Sequence, residues 1–217
     1  MKKIIQLFIW PFFISLLLLL LATSCKKNVN QLSLTGPVEK LVSGFIKANT
    51  SVIIKIDTIK EIPYELGLVF QSSQKGFISG LGIRLPVAGF IYTVSLWDYN
   101  TRQLLRQYQL LDSFTNGFTF IDLEVLNETV AIPAGKKYVA SIFTKATGQS
   151  EWSYYYMLQP DKAGAAISFI PFTQGSLTCV AIQSALSFTP VFPDQTSSHT
   201  DILNGFCDVA FRADRSN

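Results

Sequence analysis

Between residues 77 and 85 apolar side chains fall at every second position. Phe77, Leu81, Ile83 and Leu85 share one face, while Ile78, Gly80, Gly82 and Arg84 share the other. A period of two is that of a strand. Stretches 91–99, 104–111 and 118–125 read the same way; in the last, Ile121, Leu123 and Val125 alternate with Asp122 and Glu124, which predicts one wet face. Segments 86–89, 98–102, 116–117 and 133–135 carry the glycine, proline, asparagine and aspartate of turns. Further strands are expected at 138–144, 152–158, 166–169, 178–183 and 206–211. Only 38–47 suits a short helix, and its valine and isoleucine content suits a strand equally. Many short strands at near-regular spacing predict an all-β fold, an antiparallel, jelly-roll-like β-sandwich, with 38–213 as a single domain.

The N-terminus breaks this pattern. Lys2 and Lys3 precede an almost wholly apolar run, 4–21, and the small residues Ala22, Thr23 and Ser24 lead to Cys25. That order is the one of a secretory signal peptide. The run approaches the ~20 residues of a membrane span, so an uncleaved anchor and a soluble secreted protein are the competing readings. Pro11 disfavours a regular spanning helix. Leu21-Ala22-Thr23-Ser24-Cys25 resembles the lipobox of bacterial lipoproteins, although leucine is commoner than alanine three places before the cysteine. The resemblance implies cleavage before Cys25, a diacylglycerol on its thiol and an acyl chain on its new amino group, enough chains for stable anchoring. Residues 1–24 are then a signal peptide and 25–37 a lipidated cysteine with a polar tether. The expected location is the bacterial cell envelope, at the outer membrane, with the domain facing the periplasm or the exterior.

Composition sharpens the picture in one respect. The chain is 48% hydrophobic and 15% charged, against a usual charged share of about 25%, and much of that excess lies in the first 24 residues. Of 18 basic residues two, Lys2 and Lys3, fall in that segment, leaving 16 against 15 acidic ones. No basic stripe remains for a phosphate backbone, so nucleic acid is not an expected partner.

Candidate chemistry is sparse. His199 is the only histidine and lies in a polar stretch, 195–201; no Gly-x-Ser-x-Gly elbow accompanies it. One histidine and two remaining cysteines do not form a four-ligand zinc set by spacing, and no EF-hand loop is present. No cofactor is expected, although a structural calcium on loop carbonyls and carboxylates is compatible with such a fold. A glycosidase would need two carboxylates across a cleft; Glu61, Glu65, Asp122, Glu124 and Asp208 are the candidates, with Asp122 and Glu124 expected on a wet strand face. Outside the cytoplasm Cys179 and Cys207 are expected to pair, closing a loop of about 28 residues worth roughly 3 kcal/mol; two buried free thiols fit the same pattern. Trp152, Tyr154, Tyr155 and Tyr156 form the richest binding candidate. Alternation puts Trp152, Tyr154 and Tyr156 on one face and Tyr155 with Met157 on the other. Exposed rings would stack on sugars, whereas buried ones would belong to the core or an interface.

The middle of the chain resembles the extracytoplasmic β-sandwich family known as domain of unknown function 4082. The matching residues run from Glu65 to Phe70, from Gly76 to Arg84, from Tyr92 to Asp98, through Leu104-Leu105, and from Val130 to Ala140. Phe192-Pro193 and the strand from Cys207 to Phe211 resemble the closing pattern. The resemblance spans roughly 60–212, with 145–190 matching loosely. It implies the fold and an extracytoplasmic address, and no activity. The expected protein is a membrane-anchored lipoprotein whose domain is not an enzyme and binds glycan or a surface protein, or scaffolds the envelope. A carbohydrate-active hydrolase on the same scaffold, or a structural surface subunit, is the alternative.

Overall fold

In a computed structural model the described residues are 36–59, 62–114, 116–146, 148–149 and 151–214. The signal segment, Cys25, most of the tether and Glu61 lie outside them. Two β-sheets face each other across the main core. The first runs β1-β16-β4-β7, with β8 also on β4; these are Glu39–Lys40, Phe206–Ala213, Gly76–Arg84, Thr119–Asp122 and Val130–Ile132. The second runs β12-β13-β3-β9-β5-β6, with β14 on β13; these are Phe172–Gln174, Leu177–Leu186, Tyr64–Ser72, Lys137–Phe143, Ile91–Asp98, Leu104–Leu111 and Gln195–Thr196. Every ladder among them is antiparallel. Leu68 and Phe70 from β3, Val94 and Leu96 from β5 and Ile142 from β9 pack with Leu81 and Ile83 from β4 and with Val209 and Phe211 from β16. The fold is thus an all-β sandwich, as the alternation predicts.

A third, smaller sheet centres on β10 (Trp152–Pro160), flanked by β2 (Ile53–Ile59), β15 (Ile202–Asn204) and β11 (Ala166–Ile167). Gly205 separates β15 from β16 and lets one stretch of chain serve two sheets. Its φ of +69° is in the left-handed region, a Cβ there would lie 2.6 Å from the Cβ of Leu66, and its N–H donates to the Tyr155 carbonyl at 2.9 Å. The described residues all belong to one compact unit.

Several expected strands differ from the alternation: that at 166–169 ends at Ile167, and those at 104–111 and 178–183 each carry a bulge. In β4 the phase changes at Ser79: Ile78 is fully buried in the core, and Phe77 is only half-buried. Ala210 pairs with Gly80 but Phe211 pairs with Ile78, so an extra residue bulges between them and the face flips. Beyond the bulge Gly82 leaves room for the Phe120 ring, which lies where a Cβ would be, 2.6 Å away. The strand expected at 118–125 stops at Asp122. Its Oδ1 accepts the amides of Glu124 (2.8 Å) and Val125 (3.2 Å), which turns the chain and leaves Val125 76% exposed instead of on an apolar face. Segment 38–47 divides: β1 is followed by helix α1, Val42–Ala48.

Candidate functional site

The aromatic strand β10 has neighbours on both edges. Residues 152–158 pair with β2, and residues 156–158 also pair with β15. Its faces are those alternation assigns, but the rings are not set out as a flat row. Tyr155 and Met157 are in the main core, Trp152 is buried, and Tyr154 and Tyr156 are half-buried. The Tyr155 ring stacks on Phe206 with centroids 5.7 Å apart, and the Arg84 guanidinium lies 4.8 Å above it. The Tyr154 hydroxyl donates to Asp57 Oδ2 at 2.8 Å; burial first, then that carboxylate, raises its pKa.

The outer face of the larger sheet carries a polar cluster of which the sequence marks only the acid. Glu65 opens β3 on the face of Gly67 and Val69, opposite Leu66, Leu68 and Phe70. Its carboxyl is wholly buried, and that burial pushes its pKa up to about 8, against the opposing pull of the Ser141 hydroxyl and the Val191 amide. The Ser141 hydroxyl donates to Glu65 Oε1 at 2.5 Å and accepts the Trp97 indole N–H at 2.8 Å. Glu65 Oε2 is buried with no hydrogen-bond partner among the described residues. The segment around Val191, Phe192 and Pro193 covers this cluster. Phe192 meets Trp97 edge-on at 5.9 Å, and Pro193 occupies the space a Gly67 side chain would need. Val69, Trp97 and Val139 form a second small core there, with Phe192 packed against it.

Other acids, Asp208 and Glu124 among the candidates and Asp98 beside them, are fasteners. Asp208 is fully buried, and its two oxygens accept the Val42 and Ser43 amides at 2.8 and 2.9 Å, capping α1 from a distant strand. Burial raises its pKa, while these bonds oppose the rise. Asp98 accepts Lys136 Nζ at 2.5 Å and the Asn100 and Thr101 amides; the lysine contact, first, lowers its pKa. Glu124 pairs with Arg212. His199 is exposed, with its Nδ1 3.6 Å from Asp201. No group of three or more potential ligands is placed to hold a metal among the described residues.

The expected disulfide is not formed. Cys179 and Cys207 are both free and buried. They lie on strands of opposite sheets and each is turned to a carbonyl: Cys179 to Ala181 at 3.7 Å, across the bulge in β13, and Cys207 to Ala140 at 3.0 Å. Burial pushes the Cys179 thiol up to about 12 and raises that of Cys207 as well.

Three surface depressions accompany these features. One of about 520 Å³ lies beside Phe90, Phe143 and Phe188. Another, of about 340 Å³, lies on the outer face of the smaller sandwich sheet beside Lys40, Phe120 and Arg212. The third, about 280 Å³, is lined by the amides and hydroxyls of Gln183, Gln195, Thr196 and Asn204. Lys40 Nζ already lies 3.8 Å over the Phe120 ring, which closes that ring to stacking. Among the described residues no helix is long and apolar enough to cross a membrane.

The family model described as a domain of unknown function, DUF4082, matches residues 54–201. The chain belongs to the DUF4082 family. Among the stretches that carry the resemblance, Glu65, Gly67, Trp97, Val139, Phe192 and Pro193 meet over the outer sheet face, while Leu68, Phe70, Leu81 and Leu96 fill the main core. No curated protein matches the chain. Among solved structures it is similar to those of infectious bursal disease virus. For the Gt strain the identity is 10% and the TM-score 0.27, over 82% of this chain and 42% of that one. For the VP2 subviral particle the figures are 9%, 0.25, 75% and 41%. The chain thus spans less than half the length of these structural neighbours.

Proposed function

We propose that this member of the DUF4082 family is a lipid-anchored protein of the bacterial cell envelope. Its β-sandwich acts without catalysis, as a scaffold or a module that binds another surface protein. The address rests on the order of residues 1–25. The non-catalytic role is supported above all by how the family-pattern residues are used. Glu65, Trp97 and Phe192 close a small core around Ser141, and Asp208 and Asp98 tie a helix and a turn. Their side chains are committed to holding the fold. The rings of β10 are likewise built into packing, which favours a protein partner over a glycan platform.

Metabolic labelling with an alkyne-tagged palmitate tests the address. The wild-type chain should be labelled and fractionate with the envelope, and Cys25→Ala should accumulate as an unlabelled precursor. Normal processing of Cys25→Ala would overturn it. Release of reducing ends from a panel of envelope polysaccharides, lost in Glu65→Gln, would overturn the non-catalytic reading.

A further inference from the structure

β2 is the outermost described strand on one side of the third sheet. One edge pairs with β10 along all seven residues, and no described strand pairs with the other. Its middle is exposed from Lys55 to Thr58, and Ile53 and Ile56 are 42% and 56% exposed. Unpaired edges of this kind invite another strand, and native proteins commonly place a lysine there as protection. Lys55 looks like such a guard until its neighbour is considered. Lys55 and Asp57 lie on one face of β2, two residues apart, with Ile56 between them.

That spacing selects a partner. When two copies of one strand pair antiparallel, residues opposite each other have sequence numbers of constant sum. Only even sums keep the same face of both sheets on the same side. With a sum of 110, Lys55 meets Lys55; with 114, Asp57 meets Asp57. Both put like charges directly opposite, which is destabilising. With a sum of 112, Ile56 meets Ile56 on the twofold axis, and each Lys55 meets Asp57 of the other copy. Ile53 then meets Ile59, and Ile54 meets Thr58. Of the three registers, this one avoids a like-charge clash, satisfies both charges twice and covers the most exposed isoleucine of the strand.

We infer that the free edge of β2 is a self-association surface: two copies of this chain pair antiparallel, centred on Ile56, and join their four-stranded sheets into one of eight strands. The interface is isologous, as a twofold dimer requires. Main-chain hydrogen bonds supply the contact, and the Lys55–Asp57 pairs set the register. This goes beyond the envelope reading and does not depend on the lipid.

The test uses the full-length chain in detergent, with mass by analytical ultracentrifugation over a concentration series. Wild type should show a monomer–dimer equilibrium. Lys55→Glu alone and Asp57→Lys alone each place like charges opposite in the dimer. Each should weaken association roughly tenfold, as expected for about 1.4 kcal/mol lost over two pair contacts. Mixing the two variants should restore it. In the mixed dimer the introduced glutamate faces the introduced lysine, and the native Asp57 of one copy faces the native Lys55 of the other. The rescue also shows that both variants fold. A wild type that stays monomeric, single variants that associate like wild type, or a mixture that stays monomeric while both variants keep wild-type circular dichroism would each overturn the inference. As a second readout, Ile56→Cys should give a covalent dimer on mild oxidation that wild type does not give.

Discussion

Glu65 and Asp208 are both wholly buried acids on sandwich strands, and they are accommodated in opposite ways. Asp208 faces three backbone amides, those of Val42, Ser43 and Val209, so its oxygens sit among fixed positive ends. Glu65 has a hydroxyl, a single amide and an unpartnered oxygen beneath Phe192 and Pro193, and it holds its proton up to about pH 8. The first is a clasp between remote segments, and the second a neutral hydrogen-bonding group covered by Phe192 and Pro193. Burial alone therefore does not define what an acid does; the donors around it do.

The contrast is broken most severely at the clasp. Asp208→Ala strands two helix amides in an interior position and should cost about 3 kcal/mol or more in urea unfolding followed by tryptophan fluorescence. Ser141→Ala leaves Glu65 Oε1 and the Trp97 indole without their shared hydroxyl and should cost about 2 kcal/mol. Glu65→Gln sharpens the comparison through pH. The folded pKa of about 8 lies above the ordinary 4.5, so the folded state binds the extra proton between those values. The stability Glu65 contributes is complete below about pH 4.5, falls as pH rises toward about 8, and is level beyond. Glu65→Gln should remove a slope of up to about 1.4 kcal/mol per pH unit in that window, and gain on wild type as pH rises. The smallest effect is expected at the thiol beside both acids. Cys207, whose pKa both carboxylates help to raise, should resist iodoacetamide at pH 8 in the native chain, as should Cys179. Both should react once the chain is unfolded; a pair that stays unreactive in denaturant without reductant would mean a bridge.

Alternation is enough to find β5 and β9, because their inward residues Tyr92, Val94 and Leu96, and Tyr138, Ala140 and Ile142, keep a strict period of two; it also finds β6, although a bulge at Leu105 shifts the phase there. It loses phase in β4 because a bulge is a property of the pair with β16, not of either strand's own pattern. It overruns β7 because the Asp122 side chain competes for backbone amides, an effect that binary patterning does not register. β2 lies outside the stretches marked by pattern, though Ile54, Ile56 and Thr58 alternate with Lys55 and Asp57 there. The Glu65 cluster leaves one trace: an acid opening the apolar run from Leu66 to Phe70. Its partners Trp97, Ser141 and Val191 come from three remote segments, so only tertiary structure brings them together. The burial of the cysteines is legible in their strands, but the orientation of each thiol depends on a carbonyl in its surroundings.

The last strand, β16, has a bearing on the order in which the fold can close. Asp208 grips Val42 and Ser43, β1 pairs with Phe211 and Ala210, and Arg212 donates to the Gly36 carbonyl at 2.6 Å. The start of the domain is therefore secured by its end. A chain that grows from its amino end cannot close this arrangement until residues 206–213 are available. The arrangement thus closes late, through Ser43 and Asp208, partners 165 residues apart, a contact of high sequence separation whose loop-closure cost makes it slow to form.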